Sequence, residues 1–429
     1  MRKLVSTFII MFPMLAVAEP IKSFDEVWKA LYEKSHKQNA VKQEMELNEL
    51  SLDRAQRHWL PRVYVTGQWF NTNDPGQVFI NKLGQRSIEQ TDFIPQDLNR
   101  PERETFGMGT LGVDLPLYEG GMKSNQSNMY QALVKASELE MKAKRSEEFS
   151  ELARHYGNLI LLEKNESTLL DTQKNLERII ASYQVGAQSN PVGYSGLLGL
   201  KGVKNRIEGM LNQYTMKIKQ AKNWISTKSE LPESWSANTN QEITEYLSEN
   251  LSSKSGQSSS TQLLAQEMKL STLDDMKDME KARFLPKVGL FAQNNLYQGS
   301  RDTATAQAFG LYLQWDLFNS DSYGRLGEAS AKALAERSKL MAFKQEEQIA
   351  LQDLRESKET LEGTIKLLKD SEKLLAEQAS TSMRLFRSGL LNALQLAEVI
   401  NRRVDLIENK LQAETQYLDV WSRLYQLNN

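Results

Sequence analysis

The chain has 429 residues, 53 of them Lys or Arg and 55 Asp or Glu, for a formal net charge of -2. That near-balance argues against a role in binding polyanions, and the complete absence of cysteine removes disulfides, thiol catalysis and any lipid-bearing cysteine. The protein must hold itself together by packing and assembly alone.

Residues 1–18 carry Arg2 and Lys3, an apolar stretch from Leu4 to Leu15, then Ala16-Val17-Ala18. This reads as a secretory signal peptide with an A-x-A cleavage site, which starts the mature chain at Glu19. The apolar stretch is shorter than the roughly 20 residues that a spanning helix needs, and no later segment approaches that length. If the chain enters a membrane, it does so as strands.

Residues 21–58 predict helix, with Phe24, Val27 and Leu31 on a polar background and Ser23 as N-cap. Leu60-Pro61 ends it, because proline disfavours helical geometry in the residue before it. The period then changes to two: Val63, Val65, Gly67 and Trp69 alternate with Tyr64, Thr66, Gln68 and Phe70, which predicts a strand. Residues 71–103, rich in Asn, Asp, Pro and Gln, read as a long polar loop, and a second strand follows over 106–117. From Met122 to Tyr183 there is no proline and only Gly157, so one helix would run roughly 90 Å at 1.5 Å per residue. A turn over 185–191 reverses the chain into a helical arm ending near Trp224. Residues 226–260 form a Ser- and Asn-rich connector with a short helix marked by Ile243, Tyr246, Leu247 and Leu251.

The order of elements then repeats: helix 261–283, strand 287–297, loop 298–305, strand 307–318, a long helix from Tyr323 to Phe386, a turn at Gly389 and a last helix over 393–427. Trp59-Leu60-Pro61-Arg62-Val63 returns as Phe284-Leu285-Pro286-Lys287-Val288, Leu117-Tyr118-Glu119 as Leu317-Phe318-Asn319, and Tyr183-Gln184-Val185-Gly186 as Phe386-Arg387-Ser388-Gly389. The chain is an internal duplication, and that fixes its architecture.

On the last strand Phe309, Leu311, Leu313, Trp315 and Leu317 share one face, with Gly310, Tyr312, Gln314 and Asp316 on the other. A lipid-facing side and a polar lumen produce this pattern; so does a sandwich strand with one face on a core. Number separates the two. Two strands per half are too few for a closed barrel, and an open sheet edge leaves amides unpaired in lipid, so several chains must close it together.

These repeated motifs, with Leu115-Pro116-Leu117-Tyr118-Glu119-Gly120-Gly121 at a strand-to-helix junction, resemble those of the TolC-like outer-membrane efflux proteins over essentially the whole mature chain. The resemblance implies an α+β membrane protein, a homotrimer in which four strands per chain build a twelve-stranded transmembrane β-barrel continued by a long α-helical coiled-coil barrel in the periplasm. It implies a signal peptide at 1–18, a first repeat over 19–225, a connector over 226–260 and a second repeat over 261–429. The implied role is passive conduction as the outer-membrane exit duct of a drug-efflux or type I secretion system. Its partners would be a periplasmic adaptor protein, an inner-membrane transporter and outer-membrane lipid, with no nucleic acid, no cofactor and no enzymatic activity. Tyr183, Gly186, Phe386 and Gly389 fall at the helix turns where such proteins dock the adaptor.

The periplasmic gate would involve Gly193, Gln395 and Glu398. Where the family often places an acidic pair, this chain has Gln395-Leu396-Ala397-Glu398, so only Glu398 keeps a charge. Three such carboxylates near an axis would attract cations; Glu398 also reads as one more solvated helix residue. Gly193, Gly196, Gly199 and Gly202 recur every third residue, and each weakens a helix by about 1 kcal/mol relative to alanine. They read as a hinge, as sites of close helix approach, or as an irregular connector. Of the remaining motifs, Gly107-Met108-Gly109-Thr110-Leu111-Gly112 matches the dinucleotide fingerprint but lies inside a strand rather than before a helix. His36, His58 and His155 are scattered and form no metal set. Trp59, Trp69 and Trp315 lie near strand ends, where aromatic residues mark a membrane interface. A non-conducting secreted or periplasmic coiled-coil scaffold is the competing reading.

Overall fold

The computed structural model describes residues 21–182, 191–232, 235–252 and 259–429. In chain order the elements are β1 (Ile21–Lys22), α1 (Phe24–Lys34), α2 (His36–Gln56), β2 (Arg62–Thr72), α3 (Pro75–Gly84), α4 (Pro95–Asn99), β3 (Glu104–Glu119), α5 (Met122–Ser182) and α6 (Pro191–Ser229). There follow β4 (Ser236–Ala237), α7 (Ile243–Asn250), α8 (Thr261–Ala282), β5 (Lys287–Gln298), β6 (Thr303–Gln314), α9 (Ser320–Arg387) and α10 (Ala393–Asn428). Short 3₁₀ turns occupy Arg57–Trp59 and Gln90–Phe93. None of the described helices is long and apolar enough to cross a membrane.

The chain divides into two compact units. One comprises Met1–Ala40, Met141–Thr261 and Gln345–Asn429; the other comprises Val41–Glu140 and Gln262–Lys344. α5 is unbroken for 61 residues and α9 for 68.

In the first unit, α10 and α1 pack on α6 around a core that includes Leu152, Leu159, Ile207, Leu396, Val404 and Leu418. An aromatic cluster fixes the connector against it. Phe24 meets Phe149, Tyr156 and Tyr246 edge-on at 5.2–5.6 Å. The Tyr156 hydroxyl donates to the Lys22 carbonyl at 2.7 Å and accepts from the Asn238 amide at 2.9 Å, so one side chain ties the parallel β1–β4 pair to α5. Tyr246 donates to the Ala153 carbonyl at 2.9 Å. His155 stacks on Trp224 at 4.0 Å, and burial pushes its imidazole down to about 4.

The same unit carries a buried device in both repeats. Ser35, just before α2, donates to the Glu148 carboxylate of α5 at 2.7 Å, and Gln38 adds a bond at 2.9 Å. Ser260, just before α8, donates to Glu347 of α9 through its hydroxyl at 2.5 Å and its amide at 3.1 Å. All five residues are buried. Each serine starts the helix that leads to a repeat's first strand, so the duplication extends to side-chain chemistry.

In the second unit, β2, β3, β5 and β6 form one four-stranded sheet in that order, antiparallel throughout. The two repeats meet at the β3–β5 pair, and β2 and β6 are its open edges.

Three readings of the sequence need correction. The helix predicted over 21–58 is broken at Ser35, which turns extended (ψ 112°) and caps α2 through its hydroxyl on the Gln38 amide at 3.1 Å. The polar loop predicted over 71–103 contains α3 and α4. Asp74 N-caps α3 ahead of Pro75, and Pro95 opens α4; both are helix-start signals. The last strand covers Thr303–Gln314 rather than 307–318, because the tight turn at Gly299–Asp302 starts the ladder at the Gln298–Thr303 pair. Alternation through Trp315 and Leu317 reports which way side chains point, not where pairing stops.

Candidate functional site

Register assigns every strand residue to a face. On one side, Val63, Val113, Ala292 and Phe309 stand in a single row across all four strands. Val65, Trp69, Leu111, Leu115, Leu290, Leu296, Leu311 and Leu313 extend the same side. On the other stand Tyr64, Thr66, Gln68, Thr110, Asp114, Gln293, Asn295, Tyr312 and Gln314. Exposure is reversed from that of a soluble sheet. On the two central strands Leu111 is 51% exposed, Leu290 41% and Leu296 41%, whereas Thr110, Asp114, Gln293 and Asn295 are half-buried; on the edge strands Val65 and Phe309 are exposed, and so are Thr66, Gln68 and Gln314 of the polar side. Water-facing sheets bury the apolar side.

The apolar field runs from Val288 to Leu296 along β5, about 27 Å at 3.4 Å per residue. At a tilt of about 40° it would stand roughly 20 Å tall, near the ~25 Å band of an outer-membrane barrel. Trp69 closes it at one end, while Trp59 and Trp315 lie at the other, all exposed. Asn294 and Gln307 face each other within it and Thr305 stands opposite Leu296 at its end; these are polar interruptions.

Small residues shape the sheet. The Tyr64 ring covers Gly112, Tyr312 covers Gly289 and Phe291 covers Gly310 on the polar face, and Trp69 covers Gly107 on the apolar one. A Cβ at Gly107, Gly112 or Gly289 would come within 2.7 Å of the ring opposite. The fingerprint-like Gly107-to-Gly112 stretch is therefore room for cross-strand aromatics.

At the β5–β6 turn, the segment holding α3 and α4 folds onto the sheet's polar side. Gly84 lies against the Tyr297 ring and Gln85 against Gly299, while Arg86 donates to the Thr305 carbonyl at 3.2 Å. The clamp is ionic. Arg301 donates to both oxygens of Asp92 at 2.6 and 2.9 Å and to the Ser87 carbonyl at 3.0 Å. Lys82 reaches Asp92 at 3.4 Å and Glu104 at 2.6 Å, with the Lys82 and Asp92 side chains only 11% and 8% exposed. The Arg301 guanidinium holds the Asp92 carboxyl down at about 2, aided by the Glu89 amide.

The residues expected at the helix turns divide. Tyr183 and Gly186 lie outside the described residues. Gly389 has φ +77° and ends α9: its amide donates to the Phe386 carbonyl at 3.0 Å, and that of Leu390 to Leu385 at 2.9 Å. This is a Schellman cap, which requires the left-handed conformation that glycine adopts without strain. Phe386 packs against the core. Gln395 is spent on structure, since its amide donates to Asn392 at 2.8 Å and its side chain accepts from the Asn392 amide at 3.3 Å in a capping box. Glu398 is exposed and accepts from Arg402, one turn on, at 3.0 Å. Gly193 lies in the first turn of α6. Gly196 and Gly199 face Ala393 and Ala397 of α10, where a Cβ on Gly196 would sit 2.6 Å from that of Ala393; Gly202 has open space around it. At Gly196 and Gly199, close approach of the two helices explains the glycines better than a hinge.

Sequence reasoning did not find the Asp92–Arg301–Lys82–Glu104 clamp. Its members are 209 residues apart in the Asp92–Arg301 case, and nothing local marks them. Among the described residues there is no group of three His, Cys, Asp or Glu placed to hold a metal.

No family model matches the chain and no curated protein matches it in sequence. Solved structures do. CusC, studied for the conformational changes of folding and transmembrane channel formation, aligns with a TM-score of 0.77 at 13% identity over 94% of this chain and 91% of its own. The open state of the MtrE outer membrane channel of Neisseria gonorrhoeae gives 0.74 at 13% identity over 94% and 88%. The outer membrane protein VceC of Vibrio cholerae gives 0.73 at 12% identity over 94% of each.

Proposed function

We propose that this chain, whose fold is that of the TolC-like outer-membrane channels, is an outer-membrane exit duct that conducts cargo passively for an efflux or type I secretion system. The observation that carries the reading is the inside-out sheet: its apolar side is exposed, the polar side of its two central strands is sheltered, and both its edges are unpaired. Lipid is the environment that makes such a face favourable, and unpaired edges are not tolerated there.

The strand directions are compatible with closure between copies. β2 and β6 run antiparallel to one another across the sheet, so β6 of one copy can pair antiparallel with β2 of the next, and each copy adds four strands. Three copies give twelve, the number that the family resemblance implies. In this reading the long helices α5, α6, α9 and α10 supply the periplasmic tunnel that the resemblance implies. Their turns, at Tyr183 to Gly186 and Phe386 to Gly389, take a periplasmic adaptor, which links the duct to an inner-membrane transporter. Gly193, Gln395 and Glu398 lie beside those turns and form the gate. With Gln395 held in its capping box, Glu398 is the member that can present charge, and Arg402 tempers it.

The test is conductance of the detergent-extracted protein in planar bilayers, with negative-stain microscopy of the same preparation. Discrete conducting steps and three-fold tubes are expected. A protein released in soluble form by osmotic shock and giving no conductance would replace the duct by the non-conducting scaffold. Glu398→Gln should lower the cation preference of the pore, read as a smaller reversal potential in a salt gradient. An unchanged reversal potential would remove Glu398 from the gate.

A further inference from the structure

The α3–α4 segment repeats the sheet's inside-out character in miniature. The side of α3 turned to its own chain carries Val78, Asn81, Lys82 and Gln85, all buried; the opposite side carries Ile80 and Leu83, 62% and 56% exposed. Phe93, on the 3₁₀ turn that supplies Asp92, and Ile94 just after it are exposed as well. A ten-residue helix that buries a lysine and an asparagine while exposing leucine and isoleucine has its amphipathicity reversed for a surface helix of a lone chain. Something apolar covers that side in the assembled protein.

Position identifies the cover. α3 lies on the polar face, because the Tyr297 ring against Gly84 belongs to the side that carries Gln293 and Asn295. Lipid contacts the other face. Tyr297 also stands next to the last residue of β5, so the lobe sits at the rim formed by the β5–β6 turn. Resting on the duct reading, we infer that Ile80, Leu83, Phe93 and Ile94 of neighbouring copies of this chain meet across the barrel axis and form an apolar seal at the external mouth. Twelve strands about 4.8 Å apart and tilted about 40° make a barrel about 24 Å across at the backbone. Three mutually touching helices, each about 10 Å thick, occupy a circle about 22 Å across. Lobes of helix thickness lying inside that rim must therefore touch. The Arg301–Asp92 and Lys82–Glu104 pairs hold each lobe inward, so the exit would be closed by apolar contact between copies and set in place by ion pairs within each copy.

The natural lack of cysteine gives a direct test. Leu83→Cys and, separately, Ile80→Cys are introduced into the full chain, extracted in detergent and oxidised with copper phenanthroline. Both should give a cross-linked, reducible dimer band on denaturing gels, while Phe309→Cys on the lipid side gives none. Absence of the band in an intact oligomer would overturn the seal and leave the duct standing; a monomer in detergent would overturn both. In bilayers, Leu83→Asp with Ile80→Asp should raise single-channel conductance several-fold, and conductance equal to that of the unaltered protein would also overturn the seal. Cross-linking from Phe309→Cys as strong as from Leu83→Cys would mean random collision and count against it.

Discussion

Replacing Phe309 by lysine separates a lipid-facing sheet from a water-facing one more sharply than any other single change. Phe309 ends the row Val63–Val113–Ala292–Phe309, which lies midway along the apolar field between Val288 and Leu296. If that face were in water, an 88% exposed side chain should be replaceable within about 0.5 kcal/mol. At the midplane of a bilayer, lysine on the outer face of a barrel costs about 2–4 kcal/mol, a factor of about 30 to 900 in the folding equilibrium of each chain. The neighbouring Ala308 points to the polar side, opposite Gln293, so Ala308→Lys is the matched control and should cost little. The assay is folding into lipid vesicles across a urea series, followed by tryptophan fluorescence and by heat-dependent gel mobility. Equal midpoints for the two variants, or a Phe309→Lys cost below about 0.5 kcal/mol, would refute the assignment of faces.

Three further outcomes are expected. Asp92→Asn removes the carboxylate charge and turns one of the two oxygens that accept from Arg301 into an amide donor, and should loosen the α3–α4 lobe by about 2–3 kcal/mol, read as new protease cleavage within 75–103 at neutral pH. In the unaltered protein the Asp92 carboxyl is held below its ordinary value of 3.8, so its contribution is full above that pH and is lost as the pH falls through about 2; the lobe should stay protease-resistant down to about pH 4. Glu148→Ala strands the Ser35 hydroxyl and the Gln38 amide in a buried site and should cost about 2–3 kcal/mol, measured as a lowered midpoint in chemical denaturation, with Glu347→Ala behaving alike at Ser260. His155, which burial and then the Arg154 charge keep neutral to about pH 4, gains a proton more easily when unfolded; stability should fall as pH drops from 6.5 toward 4, and His155→Gln should flatten that slope in thermal melts.

What the sequence determined by itself is what lies within a few residues along the chain. Leu60-Pro61 and Leu285-Pro286 mark the repeat, the alternation of Val63, Val65 and Trp69 gives a strand its two faces, and Ser23 with Glu26 makes the capping box observed at α1. Phe386 to Gly389 ends a helix because an αL glycine is its natural stop. The starts of α3 and α4 were legible too, in Asp74-Pro75 and Pro95, but a polar composition masked them. Only the tertiary structure decided the rest. Ser35 breaks a helix because Glu148, 113 residues on, is there to take its hydroxyl. Gln395, which the family pattern places at a gate, turns out to cap its own helix. The α3–α4 lobe lies on the polar face because Arg301 arrives from 209 residues away to hold Asp92. Periodicity and capping are local free energies that a short segment expresses alone. Which distant carboxylate, ring or backbone edge a residue meets is set by closing long loops, a cost that only the complete set of packed contacts can offset.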